Sequence, residues 1–242
     1  GDKAFTTISR RLLLKVVSAV VIGLAILPLF FHGSGVRAAV SAGPSEATTT
    51  TLSSSANPLV AGNKTTITAT VGGANGAPTG TVYFYSNGAF LQSASVSNGQ
   101  ASIEATLSVG NVAFTATYSG DTDYQGSFSE ILKQSVVKAA TSTLLTLSPS
   151  SLDPSTLGQP VTLEATITSE GFPPYGRVDF YDDTTLLGSV SISQAETPQY
   201  TVEFTSTTLS VGHHALTARY VASYDQTENS TSPILEQTVS AG

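Results

Sequence analysis

The chain has 242 residues, with ten basic and seventeen acidic side chains and no cysteine. From Ala39 onward, five basic residues stand against sixteen acidic ones, a net charge of −11. The lack of cysteine excludes disulfides and thiolate metal sites, and a body this acidic would be repelled by nucleic acid phosphates. The length suits a leader followed by two domains of usual size.

The leader, residues 1–42, has the pattern of an export signal. Arg10 and Arg11, followed by leucines and a lysine, precede an uncharged apolar run, and small residues follow that run. A basic region, an apolar stretch and a small-x-small site predict a secretory signal peptide. The paired arginines resemble a twin-arginine signal, which exports folded proteins. We expect cleavage after Ala38 or after Ala42.

Two alternatives remain open for the apolar run. It could stay uncleaved as a membrane anchor, although it is shorter than the ~20 residues that a spanning helix needs and contains Pro28. It could also form the core helix of a filament, although its basic residues would then lie within that helix. On the signal interpretation, membrane contact is limited to the leader during export or to an uncleaved leader.

Three segments of the remaining chain recur in the same order about 100 residues later. They are TITATV at 66–71 and TLEATI at 162–167, GTVYFY at 80–85 and GRVDFY at 176–181, and LSVG at 107–110 and 209–212. A repeat of this length is a self-contained domain and is longer than a solenoid unit. We therefore predict two domains, module 1 over residues 43–138 and module 2 over residues 139–242.

Each module has the pattern of short strands separated by turns. Residues 64–71 alternate strictly between apolar and polar side chains, and residues 81–85 are aromatic or β-branched. Asn-Gly pairs at 87–88 and 98–99 predict two tight hairpins. Neither module has sustained helical periodicity. The predicted fold class is all-β, with a two-sheet sandwich of roughly seven strands in each module. An N-terminal hydrophobic signal helix is expected to precede the two modules.

A comparison of the two copies predicts which face of the sheet is buried. Val82 and Phe84 keep apolar counterparts in module 2, whereas Tyr83 between them is replaced by Asp179. A face that accepts a charge in one copy is expected to face solvent, so the alternate face should build the core.

The link between the modules is short. Residues 138–140, Lys-Ala-Ala, contain neither glycine nor proline. We therefore expect a semi-rigid, end-to-end pair.

The succession of landmarks resembles a known family. The landmarks are NP at 57–58, GTVYFY at 80–85, LSVG at 107–110 and ATYSGD at 116–121, and their order is similar to that of the bacterial immunoglobulin-like repeats of group three. The resemblance implies two tandem immunoglobulin-like β-sandwich domains. It also implies export to the extracellular space or cell surface of a bacterium, with the periplasm as the alternative. It implies no single activity.

Candidate metal and catalytic residues are few. Asp121 and Asp123, one residue apart in a Ser-Gly loop, are weak candidates for a calcium site; a solvated turn that favours aspartate is the preferred alternative. His213 and His214 are adjacent, so on a strand they point to opposite faces and cannot chelate one ion together. No Gly-x-Ser-x-Gly motif occurs. We predict no catalytic residue and no cofactor.

Exposed aromatic residues are the remaining candidates for binding. The loop GFPPY at 171–175 places Phe172 and Tyr175 at one end of module 2, where prolines lower the cost of ordering. Phe172 could instead plug its own core or the joint with a neighbouring module. Tyr83, on the outward face of module 1, could stack on a sugar.

These observations favour a non-catalytic, exported pair of modules that acts as a spacer or adhesive element of a bacterial surface or secreted protein. The alternative is a carbohydrate-binding accessory module, based on the aromatic loop. The expected partners are other proteins or cell-surface glycans, and nucleic acid is not expected.

Overall fold

The computed structural model describes residues 45–193 and 195–242. Within these ranges the chain is built from strands, with no helix, which confirms the all-β fold class. The predicted signal helix, including Arg10 and Arg11, lies outside the described residues. The described residues therefore include no helix long and apolar enough to cross a membrane.

Module 1 is a sandwich of two sheets. Its strands are β1 (Thr49–Ser54), β2 (Leu59–Val60), β3 (Lys64–Gly72), β4 (Thr81–Ser86), β5 (Ala89–Ser95), β6 (Gln100–Thr106), β7 (Gly110–Tyr118), β8 (Ser127–Phe128) and β9 (Leu132–Val137). The small sheet has the order β1-β3-β6, and the large sheet has the order β2-β9-β7-β4-β5, with β8 paired to β7.

Module 2 repeats this arrangement strand for strand. Its strands are β10 (Thr141–Leu147), β11 (Ser155–Thr156), β12 (Val161–Ser169), β13 (Gly176–Asp182), β14 (Thr185–Ile192), β15 (Gln199–Ser206), β16 (Gly212–Ala222), β17 (Ser230–Thr231) and β18 (Leu235–Ser240). The orders are β10-β12-β15 and β11-β18-β16-β13-β14, with β17 paired to β16. Both first short strands, β2 and β11, pair parallel to the last strand of their module.

Each module has a hydrophobic core between its two sheets. The alternation predicted for β3 is confirmed, because Ile67 and Ala69 are fully buried between exposed or half-buried threonines. Val82 and Phe84 on β4 are also fully buried. Burial of one such large apolar side chain stabilises a fold by roughly 1.5–3 kcal/mol, so these inward rows account for much of the stability of each module.

One predicted hairpin is confirmed and the other is wrong. Asn87 has a positive φ of 49° and joins β4 to its antiparallel neighbour β5. Asn98 and Gly99 also form a tight turn, closed by backbone hydrogen bonds between Ser97 and Gln100. The strands on either side of that turn do not pair as a hairpin, because β5 belongs to the large sheet and β6 to the small one. This turn carries the chain across the sandwich.

The outward face of module 2 differs from the expectation at one position. Asp179 lies on the outer face of β13, but only 4% of it is exposed, so the prediction that it faces solvent is wrong. Arg177 Nε donates a hydrogen bond of 2.8 Å and Ser189 Oγ one of 2.6 Å to its carboxylate. Burial raises the pKa of Asp179, but these bonds and the nearby guanidinium outweigh it and hold the pKa below its usual value.

Candidate functional sites at the module joint and on the aromatic surfaces

The loop at residues 171–175 lies at the joint between the modules. The backbone N–H of Phe172 donates a hydrogen bond of 2.8 Å to the carbonyl oxygen of Ala61 in module 1. The Nδ2 of Asn63 donates a longer bond, 3.4 Å, to the carbonyl of Glu170. Phe172 itself is half-buried. The loop that the sequence marked as a binding candidate therefore contacts the neighbouring module.

Two glycines allow the backbones to approach this closely. A Cβ added at Gly171 would lie 2.2 Å from the carbonyl oxygen of Ala61. A Cβ added at Gly62 would lie 2.3 Å from the backbone nitrogen of Phe172, and Gly62 has a positive φ of 90°. Both approaches are closer than any side chain allows, so the joint depends on glycine at both positions.

A second set of contacts surrounds the link. The backbone N–H of Val109 in module 1 donates to Oε1 of Gln226 at 3.3 Å. The carbonyl of Gln226 accepts the N–H of Ala139 in the link at 2.9 Å. Lys138 forms a salt bridge with Asp225. The link is thus held to module 2 by both backbone and side-chain bonds.

The equivalent end of module 2 shows what the joint covers in module 1. Leu157 occupies the place of Ala61, since each donates its N–H to the last strand of its module, to Ser240 and Val137 respectively, at 2.9 Å. Ala61 is fully buried, whereas Leu157 is 55% exposed. Module 2 therefore covers the end of module 1 at Ala61. The equivalent position in module 2, Leu157, is exposed.

Tyr175, the second residue predicted from the loop, stacks on Tyr224. Their ring centroids are 4.6 Å apart and their planes differ by 29°. They are 37% and 58% exposed. A cleft of about 310 Å³ adjoins Tyr224, with Lys138 of the link and Asp225 and other residues of module 2 in its wall. Sequence reasoning missed Tyr224 because it lies in the segment where the two repeats differ.

Tyr83, the third binding candidate, belongs to an aromatic patch on the outer face of the large sheet of module 1. We define the aromatic patch as Tyr83, Tyr85 and Phe90. The ring of Phe90 lies 6.4 Å from that of Tyr83 and 6.0 Å from that of Tyr85, centroid to centroid. Tyr83 is 38% and Phe90 61% exposed. The patch is separate from the loop at 171–175, so the structure does not combine the three predicted residues into one site.

The weak calcium candidates lie in a tightly bonded loop. One carboxylate oxygen of Asp121 accepts the backbone N–H and the hydroxyl of Thr79, both at 2.7 Å. The other accepts the N–H groups of Asp123 and Tyr124, both at 2.9 Å. These bonds, led by the N–H of Thr79, hold the pKa of Asp121 well below its usual range. The loop thus uses Asp121 to fix its own backbone.

One histidine of the pair named in the sequence is a buried titratable group, and sequence reasoning missed its bonding partners. His213 is exposed and His214 is buried, which confirms that the two side chains point to opposite faces. The Nδ1 of His214 lies 2.7 Å from a carboxylate oxygen of Asp182, and its Nε2 lies 2.8 Å from the carbonyl oxygen of Ser210. Across residues 45–193 and 195–242, no group of three or more His, Cys, Asp or Glu residues could hold a metal ion.

The two modules have the topology of an immunoglobulin-like β-sandwich, each with a three-stranded sheet packed on a larger one. The sequence matches the profile of the family described as bacterial Ig-like domain (group 3) twice, over residues 50–137 and residues 145–240. The chain belongs to this family, which confirms the resemblance seen in the sequence.

Other comparisons add little. No curated protein matches the chain. Among solved structures, it is similar to the fibronectin(III)-like modules of Clostridium thermocellum CbhA, with 20% identity over 79% of this chain and 94% of that one and a TM-score of 0.32. It is also similar to the Hoc capsid protein of bacteriophage RB49 (12% identity, 80% and 59% covered, TM-score 0.33) and to a 1.5-MDa bacterial ice-binding adhesin (14%, 81% and 65%, 0.31). The chain spans less than two thirds of the latter two, and similarities this low support no conclusion about function.

Proposed function

We propose that this protein is an exported, non-catalytic pair of immunoglobulin-like modules that acts as a spacer or adhesive element of a bacterial surface or secreted protein. Its partner in this role is another protein or a cell-surface glycan. The observation that carries the proposal is the joint, where Phe172 of module 2 bonds to Ala61 of module 1. A spacer must hold its two ends in a fixed relation, and contacts of this kind between the modules favour such a relation.

In this joint the close fit of the two backbones matters more than the strength of any one bond. One backbone hydrogen bond contributes about 1 kcal/mol because water can replace either partner. Gly62 and Gly171, however, let two backbones meet without side chains between them, and the link at residues 138–140 is too short to let the modules separate far. Rotation about the link would therefore have to break several contacts at once.

The absence of cysteine makes a direct test simple. Gln92→Cys and Ser191→Cys place one spin label on an exposed strand position of each module, and pulsed electron paramagnetic resonance then measures the distance distribution between them. We expect one narrow distribution. A broad distribution in the otherwise unaltered protein would show that the modules hinge freely and would overturn the spacer role.

Glycine variants make this test specific to the joint. Gly62→Ala should broaden the distribution, because its Cβ meets the backbone of Phe172. Gly158→Ala is the matched control, since Gly158 has a similar positive φ of 81° but nothing within 4 Å of an added Cβ. Equal broadening by both variants would assign the effect to backbone strain and would contradict the importance of the joint.

The proposal assigns no catalytic role to the histidine–carboxylate pair of module 2. His214 is 6% exposed, and both of its ring nitrogens are bonded to protein acceptors, Asp182 and Ser210. A general base needs a nitrogen within reach of a substrate proton. The pair is better suited to holding β13 and β16 together.

A carbohydrate-binding accessory role is a second candidate, favoured by the exposed stacked pair Tyr175 and Tyr224 beside a polar cleft. Such rings offer a flat apolar surface with polar groups at its edge. A glycan array tests it. Loss of a reproducible signal in Tyr175→Ala would support this site, and an unchanged signal would remove it.

A further inference from the structure

The aromatic patch of module 1 has no role in folding the core or in the joint. Tyr83, Tyr85 and Phe90 lie on the outer face of β4 and on the edge strand β5, opposite the buried row of Val82 and Phe84. Phe90 keeps 61% of its surface exposed although it contacts both tyrosines. Neighbouring rings that stay this exposed are costly unless something covers them.

Neutral hydroxyl groups border the aromatic patch on both sides. In the sheet register Tyr83 lies opposite Thr117 on β7 and opposite Ser93 on β5, and Tyr85 lies opposite Thr115. Side chains directly opposite each other on one face are about 4.5–5.5 Å apart. The rings are therefore flanked by hydroxyls that donate and accept hydrogen bonds, without a charged group among these immediate neighbours.

One further aromatic residue extends this surface. Phe128 on β8 pairs with Thr117, which in turn pairs with Tyr83. Phe128 is 79% exposed. Two strand spacings separate it from Tyr83, about 10 Å, a length comparable to a disaccharide. The exposed surface is thus an open strip across the sheet.

We propose that the aromatic patch is a binding site for a neutral polysaccharide of flat, equatorially linked pyranose rings. The C–H faces of such sugars are apolar and carry partial positive charge, so they stack on aromatic rings. Their hydroxyls match those of Thr115, Thr117 and Ser93, which exchange hydrogen bonds without the desolvation of a charge. An open strip suits an extended chain.

Charge and area argue against a second copy of the protein as the occupant. Each copy carries a net charge of −11 from Ala39 onward, so two copies repel each other. Three aromatic side chains bury roughly 450–750 Å² even when fully covered, and Tyr85 is already half-buried. A stable protein interface needs about 800 Å² from each partner. The same charge disfavours an acidic polysaccharide.

Module 2 provides an internal comparison. Its counterparts of Tyr83 and Phe90 are the buried Asp179 and the aliphatic Leu186, which pairs with Tyr181 as Phe90 pairs with Tyr85. Module 2 therefore lacks the patch. The proposed site adds a ligand to the adhesive role and does not depend on a rigid joint, so the distance measurement and the binding experiment can fail separately.

The experiment uses the purified protein with microcrystalline cellulose, insoluble chitin and insoluble xylan in pull-down assays. Polygalacturonate, an acidic polysaccharide, is the negative control. We expect binding to at least one neutral polysaccharide and none to polygalacturonate. Tyr83→Ala and Phe90→Ala should each weaken binding about fivefold, the effect of losing one aromatic contact. Neither residue belongs to the hydrophobic core of module 1, so both variants should remain folded, and a cooperative melting transition checks this.

A matched variant locates the site. Tyr181→Ala, at the module 2 counterpart of Tyr85, should leave binding unchanged. The proposal is overturned if the unaltered protein binds none of the three neutral polysaccharides, or if Tyr83→Ala and Phe90→Ala bind as well as it does. It is also overturned if sedimentation shows a dimer that Phe90→Ala dissociates, since a second copy would then cover the patch.

Discussion

His214 and Val112 occupy equivalent positions in the two modules. Each lies two residues after the glycine that begins its strand, Gly212 in β16 and Gly110 in β7. Val112 adds to the apolar core of module 1. His214 instead bonds to Asp182 and to the carbonyl of Ser210, both of which are acceptors. Burial lowers the pKa of His214, but these two bonds outweigh it, so the pKa is raised above its usual value. The charged imidazolium satisfies both acceptors.

This arrangement predicts that module 2 is more stable in mild acid. A histidine whose pKa is raised by folding stabilises the fold fully below its unfolded pKa of about 6.5, and the contribution is lost as the pH rises through the folded pKa. Between pH 6 and pH 8 the melting temperature should therefore fall, on the order of a few degrees. Differential scanning calorimetry measures this change.

The control for this prediction copies module 1. His214→Val with Asp182→Ser installs the pair that module 1 has at Val112 and Ser86, and it should abolish the change between pH 6 and pH 8. If the double variant keeps the full pH dependence, another group is responsible.

The sequence predicts which way a side chain points more securely than what it meets there. The alternation of β4 and β13 correctly placed Val82 in the core and Asp179 on the outer face. It could not show that Asp179 is buried by Ser189, because that contact depends on the register of β14 against β13. The contact of Arg177 with Asp179 could have been predicted from the sequence, since residues two apart on a strand share a face. The stacking of Tyr224 on Tyr175 depends on loop geometry, which the sequence pattern does not predict.

At the scale of elements, local turn chemistry predicts a turn but not the strand that follows it. Asn98 and Gly99 form their turn as expected, yet β6 joins the other sheet because its pairing with β3 is decided by distant residues. The loop after β7 is a similar case. Two aspartates there resemble a calcium ligand pair. Both carboxylate oxygens of Asp121, however, accept hydrogen bonds from Thr79, Asp123 and Tyr124.

The bonds of Asp121 predict a structural loop that does not respond to calcium. Asp121→Ala should lower the melting temperature of module 1, because four donors lose their acceptor. Asp123→Ala is the matched control and should change little, since Asp123 contributes its backbone N–H to the loop. Calorimetry with and without millimolar calcium tests both. A calcium-dependent rise in the melting temperature that either substitution removes would establish a metal site and refute this assignment.

At the scale of the whole molecule, each module must be stable through its own packing. Module 1 closes its core around residues such as Phe84 and Tyr118, and module 2 closes its core around Phe180 and Tyr220. The chain has no cysteine, so no disulfide reinforces either core. The length of the link predicted a stiff pair from sequence, but Gly62 as the partner of the loop at 171–175 could be found only in the fold.

Modules that need no disulfide can finish folding before export, which is what a twin-arginine route requires. We predict that Arg10→Lys with Arg11→Lys keeps the folded protein inside the cell, because lysine preserves the charge of the leader but not the arginine pair. Lys15→Arg is the matched control, since it alters a basic residue outside the pair and should leave export intact. Immunoblots of cell and medium fractions measure the distribution. Normal export of the double lysine variant would show that the protein uses the general route, and retention of both variants would show that the leader tolerates no change of this kind.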